Sequence, residues 1–179
     1  IKQRFHQLLM EALHLSPISC PLFVSRDSGM QDNLNGTERP VSFNISALGG
    51  RPFEVVHSLA KWKRYALGRL KIPVGKGICT DMNALRPDED FLSSPIHSVH
   101  VDQWDWEKVI APEQRDLCTL KETVKQIYGA LKQCELETCS RLGMEPALPK
   151  EISFIHTGEL VAKYPQLSAG ERENAACWE

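Results

Sequence analysis

The sequence has no excess of basic residues and no long uninterrupted apolar run. Its 179 residues contain 21 Lys and Arg against 23 Asp and Glu, a net charge of −2. The lack of a basic stripe argues against nucleic-acid binding, and the lack of an apolar run argues against a membrane span. Hydrophobic residues make up 42% and charged residues 25%, as is typical of globular domains. We therefore predict one globular domain over residues 1–179 that contacts neither nucleic acid nor membrane.

A secretory signal is also missing from the first residues. Residues 1–15, IKQRFHQLLMEALHL, are charged and amphipathic, whereas the central part of a signal peptide is apolar. The six cysteines form no C-x-x-C pair and match no zinc-binding spacing, and the histidines are scattered. We therefore predict a cytoplasmic protein with reduced, structural cysteines.

Apolar periodicity and end signals predict several helices. They cover residues 2–14, 58–68, 113–142, 158–164 and a stretch that begins near residue 169. Ser58 is placed to cap the second helix and Gly68 to end it, while Gly143 is placed to end the third. The third helix carries one apolar stripe, formed by Leu117, Leu120, Val124, Ile127, Leu131 and Cys134. We expect this stripe to face the protein core.

Alternating or apolar runs between these helices predict strands. They cover residues 18–24, 41–45, 52–56, 78–86, 98–109 and 152–156. Pro21 interrupts the first strand and cannot donate to a sheet, so we expect that strand at an edge, a bulge or an interface. The strands 78–86 and 98–109, with the loop 87–97 between them, are typical of an antiparallel hairpin. The prediction is an α+β fold in which an antiparallel sheet is flanked by helices.

The returning strand of this hairpin divides its side chains unusually. Period two places Gln103 and Asp105 on one face and Trp104 and Trp106 on the other. Arg86 ends the first strand, and we expect its side chain on the face of Gln103 and Asp105. An arginine fork suits a phosphate, and a Gln/Asp pair suits an ammonium group. This combination is what amino-acid adenylation requires, because a carboxylate must meet an α-phosphate beside a positioned cation.

Each of these residues also has a simpler interpretation. The Gln/Asp pair fits ordinary exposed strand positions, and Lys63 fits the solvated face of a helix. Arg86 fits a surface ion pair with Asp88 or Asp90. The residues alone leave these alternatives open.

Four segments carry a resemblance to a known family. QDNLNG (31–36), VVHSLAKWKR (55–64), ALRPDED (84–90) and SVHVDQWDWE (98–107) closely resemble aspartate–ammonia ligase, the ammonia-dependent asparagine synthetase A. The resemblance continues in register along the whole sequence. It implies the fold of class II aminoacyl-tRNA synthetases and a homodimer that forms through the first helix and the Pro-containing strand. It also implies that the catalytic domain continues beyond residue 179, so that this chain is C-terminally incomplete.

The resemblance implies a reaction and a set of site residues. ATP activates the side-chain carboxylate of L-aspartate as β-aspartyl-AMP with release of pyrophosphate, and ammonia then gives L-asparagine and AMP. Residues at the positions that hold aspartate are Asp32, Ser58, Lys63, Gln103 and Asp105. Arg86 falls where the family holds the α-phosphate, and Glu89 falls in the loop that covers adenine. Lys63, Arg86 and Asp32 are the predicted catalytic residues, and the ligands of Mg²⁺ are expected beyond residue 179.

Two other functions are compatible with the same fold. The first is a tRNA-charging enzyme, for which the sequence offers no basic surface. The second is a catalytically inactive relative that binds metabolites or another protein.

Overall fold

The structure is a computed structural model that describes residues 1–90, 92 and 97–177. Its internal contacts divide the chain into two compact units, Ile1–Pro146 and Ala147–Glu179. The first unit contains both sheets and the three longest helices that the structure describes, and the second contains two short helices. The expectation of one domain over residues 1–179 stays a prediction. Part of the predicted loop 87–97 lies outside the described residues.

Five α-helices are present in the described part of the chain. They are α1 (Lys2–Leu13), α2 (Ala60–Arg69), α3 (Leu117–Leu142), α4 (Thr157–Lys163) and α5 (Ala169–Cys177). All five helix predictions are confirmed in position, with differences of a few residues at the ends. The apolar stripe of α1 buries Phe5, Leu8, Leu9 and Leu13, as its spacing predicts. None of the described helices is both long and apolar enough to cross a bilayer.

The ends of α2 and α3 differ in how well the sequence predicts them. Gly143 adopts a left-handed φ of 66° directly after α3, so that end is confirmed. At its start, α3 begins later than predicted because the Asp116 side chain accepts a hydrogen bond from the Thr119 backbone N at 2.7 Å. The predicted end of α2 at Gly68 is wrong, because the helix continues through it to Arg69. Ser58 lies one residue before the structural N-cap.

Six strands in two small sheets are formed by the residues that the structure describes. They are β1 (Leu15–Pro17), β2 (Phe23–Ser25), β3 (Ser42–Ile45), β4 (Arg51–Val55), β5 (Gly77–Leu85) and β6 (His100–Lys108). The sheet orders are β1-β5-β6 and β2-β4-β3. The α+β class is thus confirmed, and β5 and β6 form the predicted antiparallel hairpin.

The first sheet is mixed rather than wholly antiparallel, which corrects the prediction. β1 pairs in parallel with β5, starting from Leu15 opposite Gly77. The reason lies at His14, which adopts a φ of 58° and turns the chain from α1 directly into β1 beside β5. Gly77 permits this close packing, because a Cβ atom there would lie 2.6 Å from Cδ2 of Leu15 on β1 and 2.3 Å from the backbone O of Glu107 on β6.

Two predicted strands are wrong. The run 18–24 is not one strand, because the chain passes from β1 to β2 around Pro21 and the two strands belong to different sheets. Residues 152–156 form no strand. Instead, the Nδ1 atom of His156 accepts a hydrogen bond from the Gly158 backbone N at 3.0 Å, so this segment ends as the cap of α4.

Both faces of the β5–β6 hairpin are covered. On one face, α1 and α3 pack against Trp104 and Trp106, and the ring of Trp104 lies 4.6 Å from that of Phe5. Both tryptophans are thus partly buried against this core. On the other face, Met82 and Ala84 are buried beneath residues that include Val24, Val56 and Leu59. The second face carries the candidate site.

The apolar stripe of α3 is only partly buried, contrary to expectation. Cys134 is 3% exposed, whereas Leu117 is 64% and Leu120 is 58% exposed. The partner helix α1 has 12 residues against 26 in α3, about 18 Å against about 39 Å, so it cannot cover the whole stripe.

Candidate functional site

The register of the hairpin decides which predicted site residues share a face. Thr80 lies opposite Asp105, and Met82 lies opposite Gln103. Beyond the last paired residues, the backbone N of Arg86 donates to the Val99 O at 2.8 Å. Directly opposite residues of an antiparallel pair point to the same face, so Arg86 and Asp105 share one. Their backbones are separated by six positions along β5, about 20 Å.

The segment 57–63, which includes the first residues of α2, contacts both ends of this face. At one end, Arg86 Nη2 donates to the backbone O of His57 at 3.4 Å. At the other end, Lys63 Nζ contacts the carboxylate of Asp105 and donates to the backbone O of Trp106 at 3.0 Å. One short segment therefore connects the predicted phosphate-binding residue with the predicted amino-acid-binding residues.

Lys63 and Asp105 are paired with each other in a nearly buried position. The Lys63 side chain is 6% exposed and that of Asp105 is 15% exposed. A second carboxylate, that of Glu107, lies 3.7 Å from the Lys63 ammonium group. The interpretation of Lys63 as a solvated surface residue is therefore wrong. A buried ammonium group between two carboxylates is a strong local charge arrangement.

Asp32 and Ser58 form a second pair beside the start of α2. The Ser58 hydroxyl donates to Asp32 Oδ2 at 3.1 Å and accepts from the Ala60 backbone N at 3.3 Å. The hydroxyl thus satisfies a free amide of the first helical turn while it holds the carboxylate of the preceding loop. The structure therefore brings together two residues that lie 26 positions apart in the sequence.

Two residues that hold the backbone beside Asp32, Gln31 and Lys61, were missed by the sequence reasoning. Gln31 is buried, and its side chain donates to the Val55 O at 2.9 Å and accepts from the His57 N at 3.1 Å. Lys61 Nζ donates to the backbone O of Gln31 at 3.0 Å. The sequence signal was their place inside the motifs 31–36 and 55–64, directly beside predicted site residues.

Arg86 opens onto a cavity of about 510 Å³. The cavity is lined by Leu34, Asn35, Glu38, Arg86, Asp88, Glu89 and His97. Arg86 Nε is buried and has no hydrogen-bond partner among the described residues. A buried donor without a partner calls for an explanation, and an absent anionic ligand is one. Glu89, the residue predicted near adenine, lines this same cavity.

Arg86 and Asp88, both among the described residues, form no ion pair with each other, so this alternative interpretation is wrong. Asp88 pairs with Arg39, whose Nη2 lies 2.5 Å from Asp88 Oδ1 and whose backbone N donates to Oδ2 at 2.9 Å. These bonds to Arg39 hold the pKa of the Asp88 carboxyl below its ordinary value.

Gln103 occupies a more open position than its neighbours. It shares the face of Asp105, but its side chain is exposed on the edge strand β6. It is therefore accessible to a ligand and is not fixed by packing.

The described residues contain no group of three His, Cys, Asp or Glu side chains that could hold a metal ion. We therefore assign no ligand in this part of the chain to the Mg²⁺ that the resemblance implies. The predicted ligands beyond residue 179 stay a prediction.

The chain matches a known protein family over its full length. The family model AsnA, described as aspartate-ammonia ligase, matches residues 1–179, which is the whole chain.

Proposed function

The chain belongs to the aspartate–ammonia ligase family, and on this premise we propose that it forms L-asparagine from L-aspartate, ATP and ammonia through β-aspartyl-AMP. The family match confirms the resemblance carried by the four sequence motifs. The observation that carries the proposed mechanism is the placement of Arg86 and Asp105 on one hairpin face, with the segment 57–63 in contact with both.

The first step joins the aspartate side chain to AMP. An oxygen of the β-carboxylate attacks the α-phosphorus of ATP, and the bond to the pyrophosphate oxygen breaks. Negative charge builds on the α-phosphate oxygens, and the Arg86 guanidinium is the cation that we assign to them. Its buried Nε has no hydrogen-bond partner among the described residues, which supports this role, because the donor is oriented by the fold and left available.

The amino-acid end of the substrate lies toward Lys63 and Asp105. Its ammonium group is suited to the oxygens of Asp105 and Gln103, and its α-carboxylate to the Lys63 ammonium group. Since Lys63 and Asp105 pair with each other in the free chain, aspartate adds its own ion pairs to an existing one. The long side chain of Arg86 extends into the separation of about 20 Å between the two ends.

The second step replaces AMP by ammonia. Ammonia forms a bond to the β-carbonyl carbon of the adenylate, AMP leaves with the electrons of the broken C–O bond, and the nitrogen loses a proton. Asp32 is the residue that we assign to guide ammonia and to accept this proton. Its carboxylate is held by Ser58 at the edge of the site and belongs to a loop rather than to the sheet.

The remaining parts of the proposal follow from the family alone. They are a class II synthetase-like fold, a homodimer that involves α1 and the chain around Pro21, Mg²⁺ bound with ATP, and a cytoplasmic location. Glu89 is assigned to the adenine end of the cavity that also contains Arg86.

Product analysis with isotopically labelled substrate tests the proposed reaction. The protein is incubated with ATP, ammonium and L-aspartate that carries ¹⁸O in the β-carboxylate. We expect asparagine, AMP and pyrophosphate in equal amounts, with one ¹⁸O atom transferred to each AMP. Formation of ADP and phosphate would rule out the adenylate. Binding of aspartate and an ATP analogue without turnover would instead support the inactive, metabolite-binding relative.

A further inference from the structure

Arg39 and Asp88 connect two walls of the cavity at Arg86. Arg39 lies in the loop that follows Asp32, and Asp88 lies just beyond the end of β5. Arg39 donates four hydrogen bonds to the carboxylate oxygens of Asp88. Its backbone N donates at 2.9 Å, its Nη2 at 2.5 Å, and its Nε to both oxygens at 3.0 and 3.1 Å. A two-nitrogen fork on a carboxylate is a strong and directional form of ion pair.

The backbone of Arg39 is itself held from the buried side of the protein. His57 is 1% exposed, and its Nε2 lies 3.1 Å from the Arg39 carbonyl oxygen. Because a carbonyl oxygen only accepts, His57 must carry its proton on Nε2. The backbone O of the same histidine accepts from Arg86. A continuous series of contacts thus runs from Asp88 through Arg39 and His57 to Arg86.

The location of Asp88 creates a difficulty for a phosphate site. Asp88 follows Arg86 by two residues, and both line the same cavity. A free carboxylate there would be the obvious partner for the buried Nε of Arg86, which has no partner among the described residues. Such a pair would neutralise the cation and occupy the donor that a phosphate needs.

We propose that Arg39 is a positioning residue that sequesters Asp88 and so keeps Arg86 available for the phosphate of a nucleotide. The inference rests on the proposed function for the identity of the ligand. It differs from a purely structural role in one respect. If Arg39 only fastened the loop, loss of either partner would have the same effect. If Arg39 sequesters a competing carboxylate, removal of that carboxylate compensates for loss of Arg39.

The test compares Arg39→Ala, Asp88→Asn and the double variant, with the binding of α,β-methylene-ATP measured by isothermal titration. We expect Arg39→Ala to weaken binding about fivefold, the upper range for an exposed ion pair. The double variant should recover most of this loss, and Asp88→Asn alone should bind nearly as well as the wild type. Arg39→Lys should fall between the wild type and Arg39→Ala, because it keeps the charge but not the fork.

A matched control separates this effect from a general loss of surface charge. Lys125 forms an exposed ion pair with Glu122 on α3, at 3.0 Å. Lys125→Ala removes one cation, as Arg39→Ala does, and should leave nucleotide binding unchanged. For the active protein, Arg39→Ala should raise the KM for ATP more than it lowers kcat.

Two outcomes overturn the inference. One is equal weakening in Arg39→Ala and the double variant, which leaves only a structural clasp. The other is a crystal structure of Arg39→Ala in which the Asp88 carboxylate does not approach Arg86. The crystal structure needs no ligand, so it decides the inference even if the wild type fails to bind nucleotide, a result that would count against the proposed function instead.

Discussion

Replacement of Lys63 by Met tests whether the ion pair at the amino-acid end of the site is buried as the structure has it. Met removes the ammonium group but keeps a flexible chain of similar length. The Asp105 carboxylate, 15% exposed, then loses its only cation within the described contacts, and Glu107 loses one of its two. Removal of one partner of a buried ion pair lowers the free energy of unfolding by about 3–5 kcal/mol.

This loss should be visible in thermal and urea unfolding. For a chain of this size, about 3 kcal/mol corresponds to a decrease in Tm of about 6–12 °C. The fluorescence of the tryptophans near Asp105, chiefly Trp104 and Trp106 on the same strand, provides a local readout of unfolding. An unchanged Tm in Lys63→Met would refute the reasoning, because it would mean that the pair is solvated.

A second variant separates folding from binding. In Lys63→Met with Asp105→Leu, both charges are replaced by apolar groups, a change that is often neutral for stability. We expect the double variant to recover most of the lost stability but not to bind aspartate. Retained asparagine formation in this double variant would contradict the assignment of both residues.

Three further variants test other parts of the site and fold. Arg86→Ala should lower kcat about 10²–10³-fold while circular dichroism stays unchanged, and unaltered turnover would remove its phosphate role. Gln31→Ala leaves two buried backbone groups unpaired and should lower the free energy of unfolding, measured in urea, by about 1–3 kcal/mol. It should also lower the activity that depends on Asp32. A stability equal to that of the wild type would contradict the role of Gln31. Two hydrogen bonds from Arg4 depress the pKa of Glu137 to about 2 from 4.5. Their stabilising effect is therefore complete above about pH 4.5 and lost as the pH falls toward 2. The free energies of unfolding of the wild type and Glu137→Gln should converge as the pH falls over that range. A difference in unfolding free energy that stays constant with pH would contradict the pairing.

The hairpin was predictable because its signal is local. Alternation along each strand assigns side chains to faces, and the register then places Arg86 and Asp105 together. The α1 stripe follows from helical spacing in the same way, since one helix face is long enough to bury its apolar residues.

The errors arise where distant contacts decide the structure. The parallel pairing of β1 depends on the turn at His14, which carries no strong sequence signal. The exposure of the α3 stripe depends on the length of α1 rather than on α3 itself. Gln31 was missed because its partners, Val55 and His57, lie 24 and 26 positions away, and a lone glutamine in a polar loop gives no sign of burial.

A crystal structure with L-aspartate and α,β-methylene-ATP bound would test the central claim most directly. We expect the α-phosphate on the Arg86 guanidinium and the amino-acid ammonium group on Asp105. An oxygen of the β-carboxylate should then lie about 3–3.5 Å from the α-phosphorus. Aspartate or the α-phosphate bound away from this face of the hairpin would contradict the proposed site.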